Sequence, residues 1–223
     1  MSVIKNIEEI RASARKQIED GAVTSDYNLD KEEAISVLNG ALATELVCVL
    51  RYRFHYFSAT GINSAGVAEE FLEHAIEEQA HADSIAKRIK QLGGKPEMSP
   101  QAIAKNSHSD YVEGNSLADM MREDLIAERI AIESYRQMIQ FFGEKDPTTR
   151  RLLEEILEKE EEHADELADL LFAVVPATTE DEGKLYFKDE AQASSANKPS
   201  NKRNGENQVG KQENSGKEKK QSA

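Results

Sequence analysis

The sequence is poor in the features that build thiolate metal sites, export signals and membrane spans. Its 223 residues include one cysteine, Cys48, which excludes an internal disulfide and any zinc or rubredoxin-type site made from several thiolates. The first 20 residues carry isolated apolar positions among charges and no cleavage pattern. No run approaches the roughly 20 apolar residues that span a bilayer. These absences predict a cytoplasmic protein without a membrane partner.

Basic charge is scarce over most of the chain. The formal net charge is −14, and residues 191–223 hold seven Lys or Arg and three Asp or Glu, a local charge of +4, which leaves −18 on residues 1–190. An acidic field repels nucleic-acid phosphates and concentrates small cations, so metal ions are the expected partners and nucleic acid is not. The alternative is that the acidic surface only keeps a helical protein soluble.

Strand-like alternation of apolar and polar residues is also absent, and Gly and Pro separate long helical periods. Asp30, followed three positions later by Glu33, has the pattern of a capping box at a helix start. The segment 93–115 is too long for a hairpin and suits a crossover along a bundle. The prediction is an all-α four-helix bundle with one long crossover and helices at about 30–59, 65–92, 116–142 and 147–175.

Composition divides the chain into three regions. Residues 1–30 are expected to form an N-terminal amphipathic extension with a short helix, and residues 31–175 the bundle. Residues 176–223 are polar and, towards the end, basic, with almost nothing to bury, so a disordered tail is expected there. Such a tail could hold a partner or a neighbouring subunit, or it could be solvated without a specific role.

One motif occurs twice. The segment Glu-x-x-His-Ala-Asp begins at Glu78 and again at Glu160, 82 positions later. On a helix, Glu78 and His81 lie three residues apart on one face, as do Glu160 and His163. Two carboxylate and imidazole pairs are therefore available to one site.

A second repeated segment precedes each copy of the motif. ELVCVLRYR begins at Glu45 and ERIAIESYR begins at Glu128, 83 positions later, and Tyr52 and Tyr135 follow two turns further along the same faces. The nearly constant offset indicates a pseudo-twofold axis. A glutamate on an apolar helix face is costly to bury as an ion unless it is paired, and the facing helices can supply the partner.

Together the segments supply four carboxylates and two imidazoles. Four carboxylates carry −4 and two divalent cations carry +4, so the filled site is neutral. Oxygen-rich ligation with one imidazole per ion favours iron or manganese over zinc. A single Glu-x-x-His is commonly accidental, whereas two matched copies favour a di-metal site over a purely structural duplication. The predicted metal ligands are Glu45, Glu78, His81, Glu128, Glu160 and His163.

Residues 31–175 resemble bacterioferritin. The segments LNGALATELVCVLRYRFH, EEQAHADSIAKRIKQLGGKP, DLIAERIAI and EILEKEEEHADEL follow its four helices in order. The resemblance implies a ferritin-like bundle that binds two iron ions per subunit and assembles as a homo-oligomer, with a 24-subunit shell as the family's form. It also implies ligand roles: Glu78 and Glu160 bridge the two ions, Glu45 and His81 complete one, and Glu128 and His163 complete the other.

Two further positions bear on the family's chemistry. The resemblance places Tyr52 beside the iron site, where it could supply an electron as a catalytic residue; the alternative is an interhelical hydrogen bond from its phenol. Gln79 stands where the family has a haem-ligating methionine, so haem is not expected.

The expected function is iron storage and detoxification by a ferroxidase, which oxidises Fe(II) to Fe(III) with O2 or peroxide. The alternatives are a di-iron or di-manganese peroxidase or catalase of rubrerythrin-like type without mineral storage, and a helical scaffold without metal. Dps-type miniferritins fit less well, because their iron site lies between subunits and lacks the doubled motif.

Several other residues attract attention. His74 could be a transit ligand for incoming iron, with an exposed helix histidine as the simpler reading. Glu77 and Glu162 border the ligands and are read as solvated or as part of a route inwards. Cys48 is expected to be a buried core thiol. Met120 and Met121 are expected to pack in the core. No partner can be assigned to His55 or His108 from sequence.

Overall fold

The computed structural model describes residues 6–61 and 64–174, and within these ranges it contains helices and loops but no strand. The predicted all-α bundle is confirmed, and the predicted tail from residue 176 lies outside the described residues. The elements in chain order are α1 (Ile7–Ser13), a 3₁₀ turn (Ile18–Asp20), α2 (Lys31–Ser58), α3 (Ser64–Gln91), α4 (Pro100–Asn106), α5 (Leu117–Phe142) and α6 (Pro147–Val174).

The starts of three long helices follow from local capping. The Asp30 carboxylate accepts a hydrogen bond from the Glu33 amide at 2.9 Å, as a capping residue should. Ser116 caps α5 through the Asp119 amide at 3.1 Å. Asp146 accepts from the Thr149 amide at 2.9 Å and so satisfies a free donor at the start of α6. The predicted boundaries therefore agree with the structure to within a residue or two.

The crossover contains an element that the sequence analysis did not predict. Helix α4 occupies seven of its residues and packs against α2. Ser99 accepts a hydrogen bond from the Ala102 amide at 3.2 Å, and Pro100 suits the first turn because its missing amide hydrogen has no helical partner to lose. The crossover is thus held on the bundle by a short capped helix.

The four long helices pack as two neighbouring pairs. Helix α2 runs along α3 and α5 along α6, and the pairs meet through α2 with α5 and α3 with α6. Two apolar clusters fill the bundle at different heights. One cluster includes Leu38, Ile89, Phe142 and Leu153, and the other includes Phe71, Met121 and Leu167. On every helix, the acidic and imidazole residues of the repeats lie between these two clusters.

A buried ion network attaches the end of the crossover to the bundle. Arg51 on α2 is 1% exposed and donates to Asp124 of α5 at 2.8 Å, to the Ser109 hydroxyl at 3.1 Å and to the Asp110 carbonyl at 2.9 Å. His55 contacts the second oxygen of Asp124 at 2.7 Å and the carbonyl of Val112 at 3.2 Å. The network connects α2, α5 and the loop before α5.

Helix α2 is an exception to the expectation that no segment of the chain is long and apolar enough to span a membrane. By length and apolar composition alone it would be able to do so. However, 56% of its apolar stretch is buried inside the bundle, where it packs on α3, α4 and α5. Its apolar character is therefore accounted for by its place in the core.

Candidate metal centre

All six predicted ligands meet in the middle of the bundle. Helix α2 supplies one glutamate, α5 another, and α3 and α6 each supply a Glu-x-x-His pair. The four carboxylates and one imidazole are 1% exposed or less, and the His81 side chain is 12% exposed. We refer to Glu45, Glu78, His81, Glu128, Glu160 and His163 as the centre.

The ligand atoms of the centre form two overlapping groups. Glu45 and His81 belong to one group and Glu128 and His163 to the other, and both groups contain Glu78 and Glu160. Within each group the candidate ligand atoms lie within 4.8 Å of one another. The six residues are thus arranged as two candidate cation positions that have Glu78 and Glu160 in common.

The imidazole nitrogens face the shared carboxylates. Nδ1 of His81 lies 3.3 Å from Glu45 Oε2, 3.1 Å from Glu160 Oε1 and 3.7 Å from Glu78 Oε2. Nδ1 of His163 lies 3.3 Å from Glu78 Oε1. Both histidines therefore present the same ring nitrogen to the interior, as expected for pseudo-twofold equivalents.

Unpartnered polar atoms are concentrated in the centre. Among the described residues, eight buried side-chain nitrogen and oxygen atoms have no hydrogen-bond partner, and seven of the eight belong to the centre. Buried polar atoms normally have a hydrogen-bond partner, so this concentration of unpartnered atoms indicates a place where a ligand can bind. Carboxylate oxygens and imidazole nitrogens are donors that suit iron or manganese, and two such ions fit the residues present.

Two buried tyrosines cross the pseudo-twofold axis. The Tyr52 hydroxyl on α2 donates to Oε1 of Glu128 on α5, and the Tyr135 hydroxyl on α5 donates to Oε1 of Glu45 on α2. In each glutamate the remaining oxygen, Oε2, is one of the unpartnered atoms. Each tyrosine therefore orients one carboxylate and leaves one oxygen available for a cation.

A carboxylate outside the centre sets the tautomer of His163. Nε2 of His163 donates to Glu77 Oε2 at 2.6 Å, so in the neutral ring Nδ1 carries the lone pair and faces the centre. The sequence predicts that Glu77 is solvated or part of a route inwards; its side chain is 37% exposed and bonds a predicted ligand. The other bordering residue, Glu162, pairs with Lys159 at the surface.

Without bound cations, three of the four carboxylates favour the protonated form. Burial, with the charge of Glu78 as the next cause, raises the pKa of Glu45, Glu128 and Glu160 above the usual range. Burial acts in the same direction on Glu78, but the imidazole nitrogens of His163 and His81 outweigh it and lower the pKa of Glu78. The ionised form is thus favoured at Glu78, whereas burial shifts the other three carboxylates towards the protonated form.

Both histidines of the centre favour the charged form. Burial alone would lower the pKa of each imidazole, but contact with Glu45 and Glu78 raises the pKa of His81 to about 10, and Glu78 with Glu128 raises that of His163 to about 9. Protons on the two imidazoles therefore neutralise part of the carboxylate charge, which bound cations could neutralise instead. Cations that enter the centre must displace those protons.

His74 is not the exposed residue that the simpler reading of the sequence predicted. It is 1% exposed, and its ring stacks on that of His163 with centroids 4.0 Å apart. Nδ1 lies 3.2 Å from the Tyr52 hydroxyl and Nε2 lies 3.1 Å from Glu166 Oε2. Burial, followed by the charge of His163, lowers the pKa of His74.

The structure adds two glutamates that the sequence analysis missed. Glu70 on α3 and Glu166 on α6 form a third candidate cation group with His74. The signal was present in the spacing, because Glu70 lies four residues before His74 and Glu166 lies three residues after His163, so each shares a helix face with an imidazole. On glutamate-rich helices such spacings are too common to single out two residues.

The remaining candidates are structural. Cys48 is a buried core thiol as predicted, 2% exposed, and Met120 and Met121 are buried in the same cluster. His108 has a partner in Ser134 at 3.2 Å. Gln79, at the position of the family's haem ligand, donates to Asp83 at 3.1 Å.

Comparison with known proteins supports the assignment of the bundle. The sequence profile described as "Ferritin-like domain" matches residues 35–173. The bacterioferritin of Desulfovibrio desulfuricans is 32% identical over 134 residues, which cover 60% of this chain and 71% of the relative. A nutrient stress-induced DNA-binding protein of Nostoc sp. is 35% identical over 139 residues, which cover 60% of this chain and 74% of that protein.

Solved structures show the same architecture. The bacterioferritin-related protein of Bacteroides fragilis, a dodecameric thioferritin, superposes with a TM-score of 0.61 at 30% identity and covers 76% of this chain and 92% of its own. The D. desulfuricans bacterioferritin, which has a diiron site, gives a TM-score of 0.57 at 27% identity and covers 80% of this chain and 96% of its own.

Proposed function

This chain belongs to the ferritin-like family, and from that premise we propose that it is a ferroxidase which binds two Fe(II) ions per subunit at the centre and oxidises them with O2 or peroxide for storage and detoxification. The observation that carries the proposal is the set of seven unpartnered polar atoms contributed by the six residues of the centre. A scaffold without metal would have no reason to bury them.

The pattern of unpartnered oxygens supports different roles for the carboxylates. Both oxygens of Glu78 lack a partner, which suits a carboxylate shared between two cations. Glu45 and Glu128 each give one oxygen to a tyrosine and keep one, which suits a carboxylate that binds a single cation. Glu160 belongs to both cation groups, so we assign it the second shared position.

The substrate Fe(II) supplies the electrons, and two ions held side by side supply two electrons to one molecule of oxidant. The residues of the chain balance the charge of the ions and bind or release protons during the oxidation. Because His81 and His163 hold protons in the cation-free protein, binding of Fe(II) releases them. Once His163 has released its inner proton, the bond from Nε2 to Glu77 keeps the ring in the tautomer whose Nδ1 lone pair faces the centre.

We assign Tyr52 as a catalytic residue that donates one further electron to the oxidant, beyond the two from the iron ions, while its hydroxyl proton passes to Glu128. Its hydroxyl contacts Glu128 and His74, which places it beside the centre and next to a second imidazole. The same contact with Glu128 also agrees with the alternative, in which Tyr52 only forms a hydrogen bond between helices. Comparison of Tyr52→Phe with Tyr135→Phe separates the two roles.

We further propose a cytoplasmic homo-oligomeric shell that stores the ferric product. The D. desulfuricans relative is a bacterioferritin and the B. fragilis neighbour is dodecameric, so both 12 and 24 subunits are candidates for this chain. The −18 charge of residues 1–190 would attract Fe(II) towards the protein.

The decisive experiment is anaerobic Fe(II) titration of the purified protein, followed by addition of O2 and measurement of particle mass by light scattering. Two ions per chain, rapid oxidation and a large particle that continues to accumulate iron are expected. Two ions per chain on a small oligomer that takes up no more iron would indicate a di-iron oxidase or peroxidase instead.

Variants of the centre test the ligands directly. Glu45→Ala and Glu128→Ala should each reduce the bound Fe(II) below two per chain and slow oxidation, while circular dichroism shows retained helicity. Glu133→Ala, on α5 with a 71% exposed side chain, is the matched control and should behave as the unaltered protein. Unchanged metal content in the first two variants would support the metal-free scaffold.

A further inference from the structure

Two basic side chains share one buried carboxylate beside the end of the crossover. Arg51 and His55 lie one turn apart on α2, and each contacts a different oxygen of Asp124 on α5. Nε of Arg51 lies 2.8 Å from Oδ1, and Nδ1 of His55 lies 2.7 Å from Oδ2. All three side chains are 1% exposed or less. We refer to Arg51, His55 and Asp124 as the latch.

The contacts of His55 determine how many protons its ring carries. Nε2 lies 3.2 Å from the carbonyl oxygen of Val112, which can only accept, so Nε2 is a donor. Nδ1 faces the carboxylate of Asp124, whose other oxygen accepts from the guanidinium of Arg51. Because that positive charge favours the ionised carboxylate, Nδ1 is a donor as well. An imidazole with two donors is the doubly protonated, charged form.

The surroundings of His55 stabilise this charge although the side chain is fully buried. His55 lies in the last turn of α2, where the partial negative charge of the helix end favours a cation. The rings of Phe54 on α2 and Phe71 on α3 pack against it and do not ionise. Asp124 supplies the negative charge from α5. The ionisable side chains of the neighbouring loop are exposed, namely Asp110, Tyr111 and Glu113.

Each basic group of the latch holds a different part of the loop before α5. Arg51 donates to the Ser109 hydroxyl at 3.1 Å and to the Asp110 carbonyl at 2.9 Å. His55 donates to the carbonyl of Val112, further along the same loop. A guanidinium stays charged at every pH that a protein meets, whereas an imidazole can lose a proton. The two contacts with the loop therefore respond differently to pH.

We propose that the latch is a pH-dependent attachment of the crossover, in which His55 holds the loop at Val112 while its ring is doubly protonated. The bond from Nδ1 to the carboxylate is the stronger of the two, so the proton that leaves as the pH rises is the one on Nε2. The Nε2 lone pair then faces the carbonyl oxygen of Val112, and the contact opens because both atoms are acceptors. Its contribution to stability is present at low pH and is lost as the pH rises.

The change is confined to one part of the loop. Arg51 keeps its bonds to Asp124 and to residues 109–110, so α2, α5 and the first part of the loop remain attached. Residues 111–115 lose the contact that holds them and gain freedom to move. The latch thus loosens the end of the crossover in alkaline solution without opening the bundle.

Neutron diffraction from deuterated crystals of the full chain tests the protonation state directly, because it locates the hydrogen positions that X-ray diffraction at ordinary resolution leaves to inference. In crystals grown at about pH 6, deuterons are expected on both Nδ1 and Nε2 of His55 and none on Asp124. A His55 ring with a single deuteron would overturn the proposal, whether or not the second deuteron is found on the carboxylate.

A spin label in the loop measures the release in solution. Glu113→Cys places the label on an exposed loop residue, and Lys105→Cys places it on α4 as the control; the native Cys48 is buried and stays unlabelled. Between about pH 6 and about pH 10, the mobility of the label at position 113 should rise at least about twofold, and that at position 105 should not. No rise at position 113, or an equal rise at both positions, would contradict the latch.

Two histidine variants assign the titrating group. His55→Asn retains an amide donor for Asp124 in the place of Nδ1 but does not reach Val112, so the label at position 113 should be mobile at both pH values. His108→Asn removes the exposed imidazole of the same loop and should keep the full pH-dependent rise. A rise that persists in His55→Asn, or disappears in His108→Asn, would overturn the assignment. Circular dichroism checks that both variants remain helical, and the neutron experiment decides without them.

Discussion

At the scale of single residues, the two crossed bonds from tyrosine to glutamate determine how the terminal carboxylates are held. Tyr52 and Tyr135 are fully buried, and burial, followed by the charge of the bonded glutamate, raises the pKa of each phenol well above its usual value. Each phenol therefore keeps its hydrogen and remains a donor over the working pH range. The pair provides an internal control, because one tyrosine lies beside His74 and the other does not.

Tyr52→Phe and Tyr135→Phe are expected to reduce stability by similar amounts but to differ in their effect on the rate of Fe(II) oxidation. Each should destabilise the cation-free protein by about 1–3 kcal/mol, because a buried carboxylate loses its donor. If Tyr52 supplies an electron, only Tyr52→Phe slows the rapid phase of Fe(II) oxidation in stopped-flow experiments. Equal slowing in both variants would assign Tyr52 to the hydrogen bond alone.

Glu77→Ala tests the support of His163. Loss of the 2.6 Å bond from Nε2 leaves the ring free to adopt the other tautomer, so affinity for one of the two cations should fall by about 10- to 100-fold. Competitive titration with Mn(II) or Zn(II) measures this change. Glu73→Ala, an exposed glutamate one turn earlier on α3, should have no effect, and a loss of affinity in both variants would point to surface charge instead.

The meeting of the six residues of the centre could be predicted from sequence because each lies on a regular helix with a repeated spacing. Glu78 and His81 are neighbours by helical geometry alone, and the repeat identified the residues that face them. The burial of His74 and its contact with Glu166 could not be predicted in this way, because they depend on how α3 and α6 are rotated about their axes. The repeat gives no help there, since at the offset of 82 residues the counterparts of His74 and Glu166 are Ile156 and Ser84.

At the scale of the elements, the boundaries of the long helices could be predicted from capping residues, whereas the structure of the crossover could not be predicted from sequence. Seven residues of α4 give too short a period to recognise as a helix. The contacts of the crossover with the bundle depend on Arg51, Asp124 and His55, which are far apart in sequence and carry no motif. No partner of His55 can be predicted from sequence, and the structure places His55 in the network that holds the loop before α5.

Asp124→Asn should destabilise the protein strongly. The change leaves the fully buried guanidinium of Arg51 without its counter-ion, at a cost of about 3–5 kcal/mol, or a fall in Tm of roughly 10 °C. Hydrogen exchange in residues 107–112 should rise with it. Glu155→Gln, which breaks an ion pair with Arg151 whose two side chains are 61% and 79% exposed, should change Tm little. Similar shifts in both variants would contradict a structural role for the network.

At the scale of the whole molecule, the protons held in the centre link stability to pH. The pKa values of His81 and His163 are raised from 6.5 to about 10 and about 9, so their contribution to stability is complete below pH 6.5 and is lost as the pH rises through those values. The raised pKa values of Glu45, Glu128 and Glu160 act in the same direction from pH 4.5 upwards. The lowered pKa of Glu78 opposes them only in acid.

The cation-free protein should therefore melt at a lower temperature at pH 10 than at pH 6.5, by on the order of 5 °C or more. Protein loaded with Mn(II) or Zn(II) should lose less, because cations replace the protons as the source of positive charge. Differential scanning calorimetry of both forms over this range makes the comparison. Equal pH dependence in the two forms would show that the loss comes from elsewhere in the molecule.

The crossed tyrosine bonds also bear on how such a chain can be assembled. The α2–α3 pair holds a glutamate whose donor belongs to the α5–α6 pair, and the reverse is equally true. A single helix pair would thus carry both a donor and an acceptor that only another pair can satisfy, and a second copy of itself would satisfy both at once. The arrangement is that of a symmetric homodimer of helical hairpins whose two copies are joined into one polypeptide. Once the two copies are covalently linked, each is able to diverge, and His74 opposite Ile156 is such a divergence.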